Sequence, residues 1–294
     1  MNSLVAGWFS FDEVVATIGD LLARDVLCDW LARAGVEYHV ANAPLVGDGV
    51  DWRAVAPSDY ERVIFVCGPF GRRPLLEQFV ARFDGRPLVG VDLSMLEGEA
   101  AWNPFDLLLA RDAGHDGAAR PDLTFLAPDQ PPLPVACVLL AHAQGEYAGG
   151  LHAAAGEAIA RLPDLRPAAL LHTDTDLLDG HRVRRAPEVV SLIRRSDLVV
   201  TTRMHGLVLA LREGIPAVAI DPIAGGAKVS RQAQALGWPA VLLAEELSDD
   251  ALVRAFDWCL GEGARGCARR CAARARRALG ELESEFVAAL AALS

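Results

Sequence analysis

With 294 residues, the chain can build one large or two medium domains, each with its own core. Hydrophobic residues make up 52% and charged residues 23%, which excludes a disordered chain. The net charge of −11, from 28 basic and 39 acidic residues, repels nucleic acid and anionic membranes, so basic residues that matter must act locally.

The start of the chain lacks a charged-then-apolar signal pattern, and no apolar stretch reaches about 18 residues. We therefore expect a cytoplasmic protein without membrane insertion. Thr17-Ile18-Gly19-Asp20 precedes an amphipathic helix at Leu21–Ala34. Asp20 there is either an N-cap or a group that faces a ligand. Strands are predicted at Val36–Ala41, Val63–Gly68, Leu88–Asp92 and Leu107–Arg111, with a helix at Pro74–Phe83. The strand from Leu107 ends in Arg111-Asp112, which is either a surface ion pair or a cationic clamp. Leu123–Ala127 reads as a further short strand. The prolines at 128, 131, 132 and 134 cannot sit inside a sheet or helix, so this stretch reads as a linker.

The second half repeats the rhythm. Strands are expected at Val135–Ala141, Ala168–His172, Leu198–Thr202, Ala217–Asp221 and Ala240–Leu243. Helices are expected at Leu151–Arg161, Ala186–Arg195, Gly206–Arg212 and Lys228–Leu236, with a helical tail from about Asp249 to Leu293. Within that tail, the basic stretch Arg265–Arg277 reads as a solvated face. His142, Gln144 and Glu146 follow a strand end and read as a polar loop, while His172, Asp174 and Asp176, at the end of the next strand, read either as a polar loop or as a lining of the cleft near an acceptor. Alternating β and α units imply parallel sheets with helices on both faces, in two Rossmann-like domains facing a cleft.

Six cysteines contain no Cys-x2-Cys pair. Cys67 and Cys137 fall in apolar runs and read as packing residues. Cys267 and Cys271, one helical turn apart, have no matching histidine pair, so no metal is expected.

Two segments carry the chemistry. Arg203 and His205 follow the apolar strand Leu198–Thr202 and open a helix, placing an anion clamp and a proton carrier at one strand end. The local alternative pairs Arg203 with Asp197. The second segment, Asp221-Pro-Ile-Ala-Gly225-Gly226-Ala-Lys228, again joins a strand to a helix. It offers close backbone approach and a point charge to an anion, although it lacks the spacing of a P-loop.

These features resemble the polysaccharide pyruvyl transferase family, whose pattern D-L-V-I-x-x-R-L-H-x-x-x-x-A-L-x-x-G-V-P matches Asp197 to Pro216. Lys228 and Gln234-Ala-Leu-Gly237 follow in the family's order. Its N-x-G-D element corresponds to Thr17-Ile18-Gly19-Asp20, with Thr for Asn, and its R-D and A-P-D elements to Arg111-Asp112 and Ala127-Pro128-Asp129. Where the family often carries Gly-Gly-Gly, this chain has Cys67-Gly68-Pro69-Phe70-Gly71.

The resemblance implies a GT-B-like fold, with an acceptor-side domain over 1–130 and a donor-side domain over 131–294. It implies transfer of the pyruvate unit of phosphoenolpyruvate to hydroxyls of a sugar-containing acceptor as a ketal. His205 and Arg203 would be catalytic, and Arg111, Lys228, Gly225, Gly226, Gly19 and Asp20 would bind substrate. Phosphoenolpyruvate would be the co-substrate, with no cofactor. The alternatives are a nucleotide-sugar glycosyltransferase of the same architecture and a non-catalytic relative that binds an anionic ligand. The absence of a Gly-x-Gly-x2-Gly after any strand argues against a Rossmann dehydrogenase.

Overall fold

The computed structural model describes residues 2–14, 16–97, 101–112, 119–142, 149–175, 183 and 185–293. The chain divides into two compact units, Met1–Gln130 and Pro131–Ser294.

The first unit runs β1 (Asn2–Ala6), α1 (Ile18–Arg33), β2 (Glu37–Val40), β3 (Arg62–Phe70), α2 (Pro74–Arg82), β4 (Leu88–Met95) and β5 (Leu107–Leu109). Its sheet has the order β2-β1-β3-β4-β5, with every pairing parallel. β1 lies inside this sheet, with Leu4, Val5 and Ala6 fully buried. The sequence pattern passes it over, because a short strand at the chain start has no turn signal ahead of it. The chain leaves β1 through α1 toward β2 on one side, and leaves β3 through α2 toward β4 on the other. Right-handed crossovers therefore put α1 and α2 on opposite faces. The core is aromatic: Phe11, Phe65, Phe70 and Phe79 are buried together, and Phe65 meets Phe70 and Phe79 edge-on at 5.0 and 5.5 Å.

The predicted strand at Leu123–Ala127 is instead a 3-10 turn over Leu123–Leu126. Asp122 accepts hydrogen bonds from the amide (2.9 Å) and hydroxyl (2.7 Å) of Thr124. Such local side-chain bonds compete with sheet pairing and win here.

The second unit runs β6 (Val135–Leu139), α3 (His152–Ala160), α4 (Leu162–Leu165), β7 (Ala169–Thr173), α5 (Ala186–Arg195), β8 (Leu198–Thr201), α6 (Met204–Arg212), β9 (Ala217–Asp221), α7 (Lys228–Leu236), β10 (Val241–Leu243), α8 (Asp249–Leu260) and α9 (Glu262–Ala292). Its sheet order, β10-β9-β8-β6-β7, is again all parallel. Counted from each unit's own first strand, the two sheets share one topology, 2-1-3-4-5. β8 and β9 are buried along their whole length, as parallel strands covered on both faces must be.

The basic stretch on α9 is more than a solvated face. Arg274 donates to the Leu236 carbonyl (3.2 Å) at the end of α7, and Arg276 to that of Arg212 (3.2 Å) at the end of α6. Both satisfy carbonyls that a helix end leaves without partners. Among the described residues, no helix is long and apolar enough to cross a membrane.

Candidate active site

In a doubly wound sheet, ligands bind beyond the carboxyl ends of the strands, where the strand order reverses. For the second unit this point lies between β6 and β8, and the Arg203–His205 crest falls on it. The turn out of β8 is tied to the end of β6. The Thr201 hydroxyl donates to the Leu139 carbonyl (2.8 Å), the Thr202 amide to the same carbonyl (3.1 Å), and the Ala141 amide to Thr202 Oγ1 (2.7 Å). Gly206 is required here for closeness: a Cβ on it would run into Thr201 Oγ1 and come within 3.3 Å of Leu139 Cβ.

Arg203 is the N-cap residue of α6, with extended backbone, and it is largely buried. Its Nε donates to the Leu140 carbonyl (2.7 Å) and lies 2.9 Å from Asp174 Oδ1, while a terminal nitrogen donates to Asp174 Oδ2 (3.2 Å). Asp174 follows β7 directly. The same Oδ2 lies 3.3 Å from Nε2 of the exposed His142, which follows β6. Three strand ends thus converge on one carboxylate.

The expected local partner, Asp197, is elsewhere: it accepts from the Val135 amide (2.9 Å) and lies 3.6 Å from Arg265. His205 is exposed on the first turn of α6 and has no hydrogen-bond partner among the described residues. His172 lies on β7. Gln144, Glu146 and Asp176 lie outside the described residues.

One strand further along, the Gly225-Gly226 loop departs from its expected role as an anion cradle. Both glycines have positive φ, 76° and 75°, which an L side chain resists. The amides beside them are already engaged by the protein's own acceptors. Gly225 N–H donates to Glu245 (3.0 Å), Gly226 N–H to the Ile223 carbonyl (2.9 Å), and Ala227 and Ser230 N–H to Asp221 Oδ2 (2.7 and 2.8 Å). Burial of Asp221 raises its pKa, but these amides and that of Ile223 outweigh it and hold the carboxyl below its usual range. A carboxylate therefore occupies the start of α7, and Lys228 lies on that helix's first turn.

Residues 149–151 are strapped to this loop. Gly150 forms an antiparallel bridge with Ile223, the Leu151 amide donates to the Pro222 carbonyl (2.6 Å), and the Ala224 amide to that of Gly149 (3.1 Å). The strap sets His152 beside Lys228. Both ring nitrogens of His152 are buried without partners among the described residues, and burial, then the Lys228 charge, lowers its pKa.

In the first unit the strand order reverses between β1 and β3, and a cavity of about 450 Å³ opens there. Trp8, Gly19, Asp20, Cys67, Gly68, Arg111 and Asp122 are among its lining residues. Three expected site residues therefore meet, in roles set by their partners. Thr17, not Asp20, is the N-cap of α1. Asp20 completes a capping box, accepting from the Thr17 amide (2.7 Å) and hydroxyl (2.8 Å). Gly19 lies inside that first turn.

Arg111 donates to Asp122, to Ser94 Oγ (2.6 Å) and to Asp112 (3.3 Å), and lies 3.9 Å from Asp92. Three carboxylates balance its charge, so it is a poor clamp for an anionic ligand. Arg111 instead organises the acidic floor of the cavity.

Cys67 and Asp92 fall where the β3–β4 ladder is interrupted, between the pairs Val66–Val91 and Gly68–Leu93, and both have positive φ, 63° and 58°. A strained non-glycine backbone is costly and persists only where its surroundings hold it. Burial raises the Asp92 carboxyl, and burial with neighbouring carboxylates pushes the Cys67 thiol up to about 12. Cys67, Asp92 and Asp122 lie within 4.8 Å of one another. Nothing in the sequence marks this pairing, since φ is set by the sheet. By contrast, Asp174, just after a strand that neighbours β6, carries a signal legible in the sequence, the strand-end position of His172-Thr-Asp174-Thr-Asp176.

The family model for polysaccharide pyruvyl transferase matches residues 119–222, a span that contains Asp122, His142, Asp174, Arg203 and His205. No curated protein matches the chain. Among solved structures, the chain is similar to the calicheamicin glycosyltransferase CalG4, with 15% identity over 96% of this chain and 97% of that one and a TM-score of 0.36. It is also similar to the spinosyn rhamnosyltransferase SpnG complexed with thymidine diphosphate (14% identity, 93% and 96% covered, TM-score 0.35). A third similar structure is MurG of Acinetobacter baumannii (10% identity, 94% and 95% covered, TM-score 0.33).

Proposed function

We propose that the chain is a transferase that moves the pyruvate unit of phosphoenolpyruvate onto two hydroxyls of a sugar or glycan, forming a pyruvate ketal and releasing phosphate. The observation that carries this reading is the placement of Arg203 and His205 at the strand-order reversal of the second unit, inside the span that matches the pyruvyl transferase family.

Phosphoenolpyruvate carries a carboxylate and a phosphate. Arg203, held by Leu140 and Asp174, offers one of them a planar fork, and Lys228 and the first turn of α6 supply further positive potential. His205 serves as the proton carrier; acid–base help of this kind contributes about 10²–10⁴-fold. The first unit takes the acceptor. A cavity lined by Trp8, Asp20 and Asp122 suits an uncharged polyhydroxyl ring, whose hydroxyls donate to carboxylates.

The test is a thermal-shift titration with phosphoenolpyruvate, run beside UDP-, GDP- and CMP-sugars. A ligand that binds the native state alone stabilises it by RT ln(1 + [L]/Kd). Stabilisation by phosphoenolpyruvate that vanishes in Arg203→Ala is the expected result. Stabilisation by a sugar nucleotide alone would replace the donor and leave the fold in place.

A further inference from the structure

Ketal formation from phosphoenolpyruvate and a diol has a fixed proton balance. Carbon C3 gains a proton to become a methyl group. Two hydroxyl oxygens bond to C2 and lose their protons, and the bond from C2 to the phosphate oxygen breaks. One hydroxyl proton in effect ends on C3 and the other departs with the phosphate, so the products are the ketal carboxylate and hydrogen phosphate. Protons move at more than one place, which a single exposed imidazole at position 205 serves poorly. The second unit holds another imidazole at the same strand-order reversal.

We propose that Asp174 is a positioning residue that fixes Arg203 and His142 together, and that His142 is the second proton carrier of the transfer. This rests on the reading above. Asp174 Oδ1 lies 2.9 Å from Arg203 Nε, and its Oδ2 accepts from a terminal nitrogen of the same guanidinium at 3.2 Å. That leaves the clamp one orientation, which the Leu140 carbonyl (2.7 Å) reinforces. On its other flank, Asp174 Oδ2 faces His142 Nε2 at 3.3 Å. A carboxylate there holds the ring proton on Nε2 and makes Nδ1 the nitrogen that exchanges protons. The burial pattern agrees with these roles: Arg203 and Asp174 side chains are 15% and 21% exposed, as a fixed frame requires, and His142 is 64% exposed. Among the described residues His205 has no such orienting carboxylate, so the two imidazoles differ in kind. One is set in its tautomer by the protein, and the other is free to follow the substrate.

Two variants and one spectroscopic measurement test this. His142→Gln should lower kcat for phosphoenolpyruvate-dependent ketal formation about a hundredfold or more, with KM for phosphoenolpyruvate unchanged. Asp174→Asn should lower kcat and also raise KM for phosphoenolpyruvate, because the Arg203 fork loses its anchor. Nitrogen-15 spectra of the histidine rings should show His142 as the Nε2–H tautomer in the unmodified protein and as a tautomer mixture in Asp174→Asn, with thermal unfolding confirming that the variant is folded. Wild-type kcat in His142→Gln, or a His142 ring signal unmoved in Asp174→Asn, overturns the proposal. Failure of the unmodified protein to turn over phosphoenolpyruvate defeats the donor reading instead. The ring spectra then decide the positioning role by themselves.

Discussion

The two units solve one topological problem with opposite electrostatics. Both wind five parallel strands in the same order, and both carry their candidate site where that order reverses. In the second unit this point holds a guanidinium, two imidazoles and one organising carboxylate. In the first, Asp92, Asp112 and Asp122 surround Arg111, and Asp20 and Arg73 also line the cavity. The packing beneath differs as well. The first core is built on Phe11, Phe65, Phe70 and Phe79, and the second on short aliphatic residues such as Ala136, Val199, Ala217 and Val218. The fold dictates where a site forms, and the side chains on the loops dictate what it attracts. A cationic edge suits an anionic donor, and an acidic cavity suits a neutral acceptor rich in hydroxyls.

The largest effect should come from the second edge. His205→Ala is expected to lower kcat by about 10²–10⁴-fold while phosphoenolpyruvate still raises the melting temperature, since the donor charges fall to Arg203 and Lys228. Near-normal turnover would remove His205 from the chemistry and leave the cationic edge as a binding surface only.

Next come two glycines that hold the edges in place. Gly206→Ala drives a methyl into Thr201 and toward Leu139 and should cost about 3 kcal/mol, the upper end for overpacking. Gly68→Ala meets the ring of Trp8 and also needs a φ of +83°, so it should destabilise the first unit comparably. Denaturant unfolding of both variants measures this. Loss of donor stabilisation in Gly206→Ala but not in Gly68→Ala would sharpen the division of labour between the units.

A smaller effect separates two buried aspartates that titrate in opposite directions. The Asp221 carboxyl lies below its unfolded value in the folded protein, so its contribution is complete above about pH 4 and is lost as pH falls through the folded pKa. Asp92 lies above its unfolded value because of burial, so its contribution is complete at low pH and is lost as pH rises through the folded pKa. Asp221→Asn should therefore destabilise the protein at neutral pH by about 1–2 kcal/mol and flatten the acid limb of the stability curve. Asp92→Asn should be neutral or stabilising at pH 7. Parallel acid limbs in the two variants would break the contrast.

The alternation of strands and helices was readable because apolar runs and helical periodicity are local. The ends of β9, α5 and α7 are predicted to the residue. β1 escaped because its burial comes from β2 and β3, which lie far along the chain. Leu123–Leu126 misled because its apolar pattern hid the turn that Asp122 builds. The strand end carrying Arg203 was visible, but its partner was not. Asp197 is near in sequence, whereas Asp174, 29 residues away, reaches it through the pairing of β6 with both β7 and β8. The shared topology of the two halves was also hidden, since a sheet order can repeat without any repeat of residues.

The thiols at positions 67 and 137 give the molecule a pair of internal clocks. Each lies on a central strand of a different unit, Cys67 being 5% and Cys137 0% exposed, and burial holds their pKa values at about 12 and about 11. A thiol-specific reagent needs an accessible thiolate, which Cys137 does not offer while its sheet is closed, whereas Cys67 lines the cavity of the first unit and is protected chiefly by its raised pKa. Labelling of Cys137 therefore waits for its sheet to open, and the two modification rates, resolved by peptide mass, compare that opening with access to the first unit's cavity in the unmodified protein.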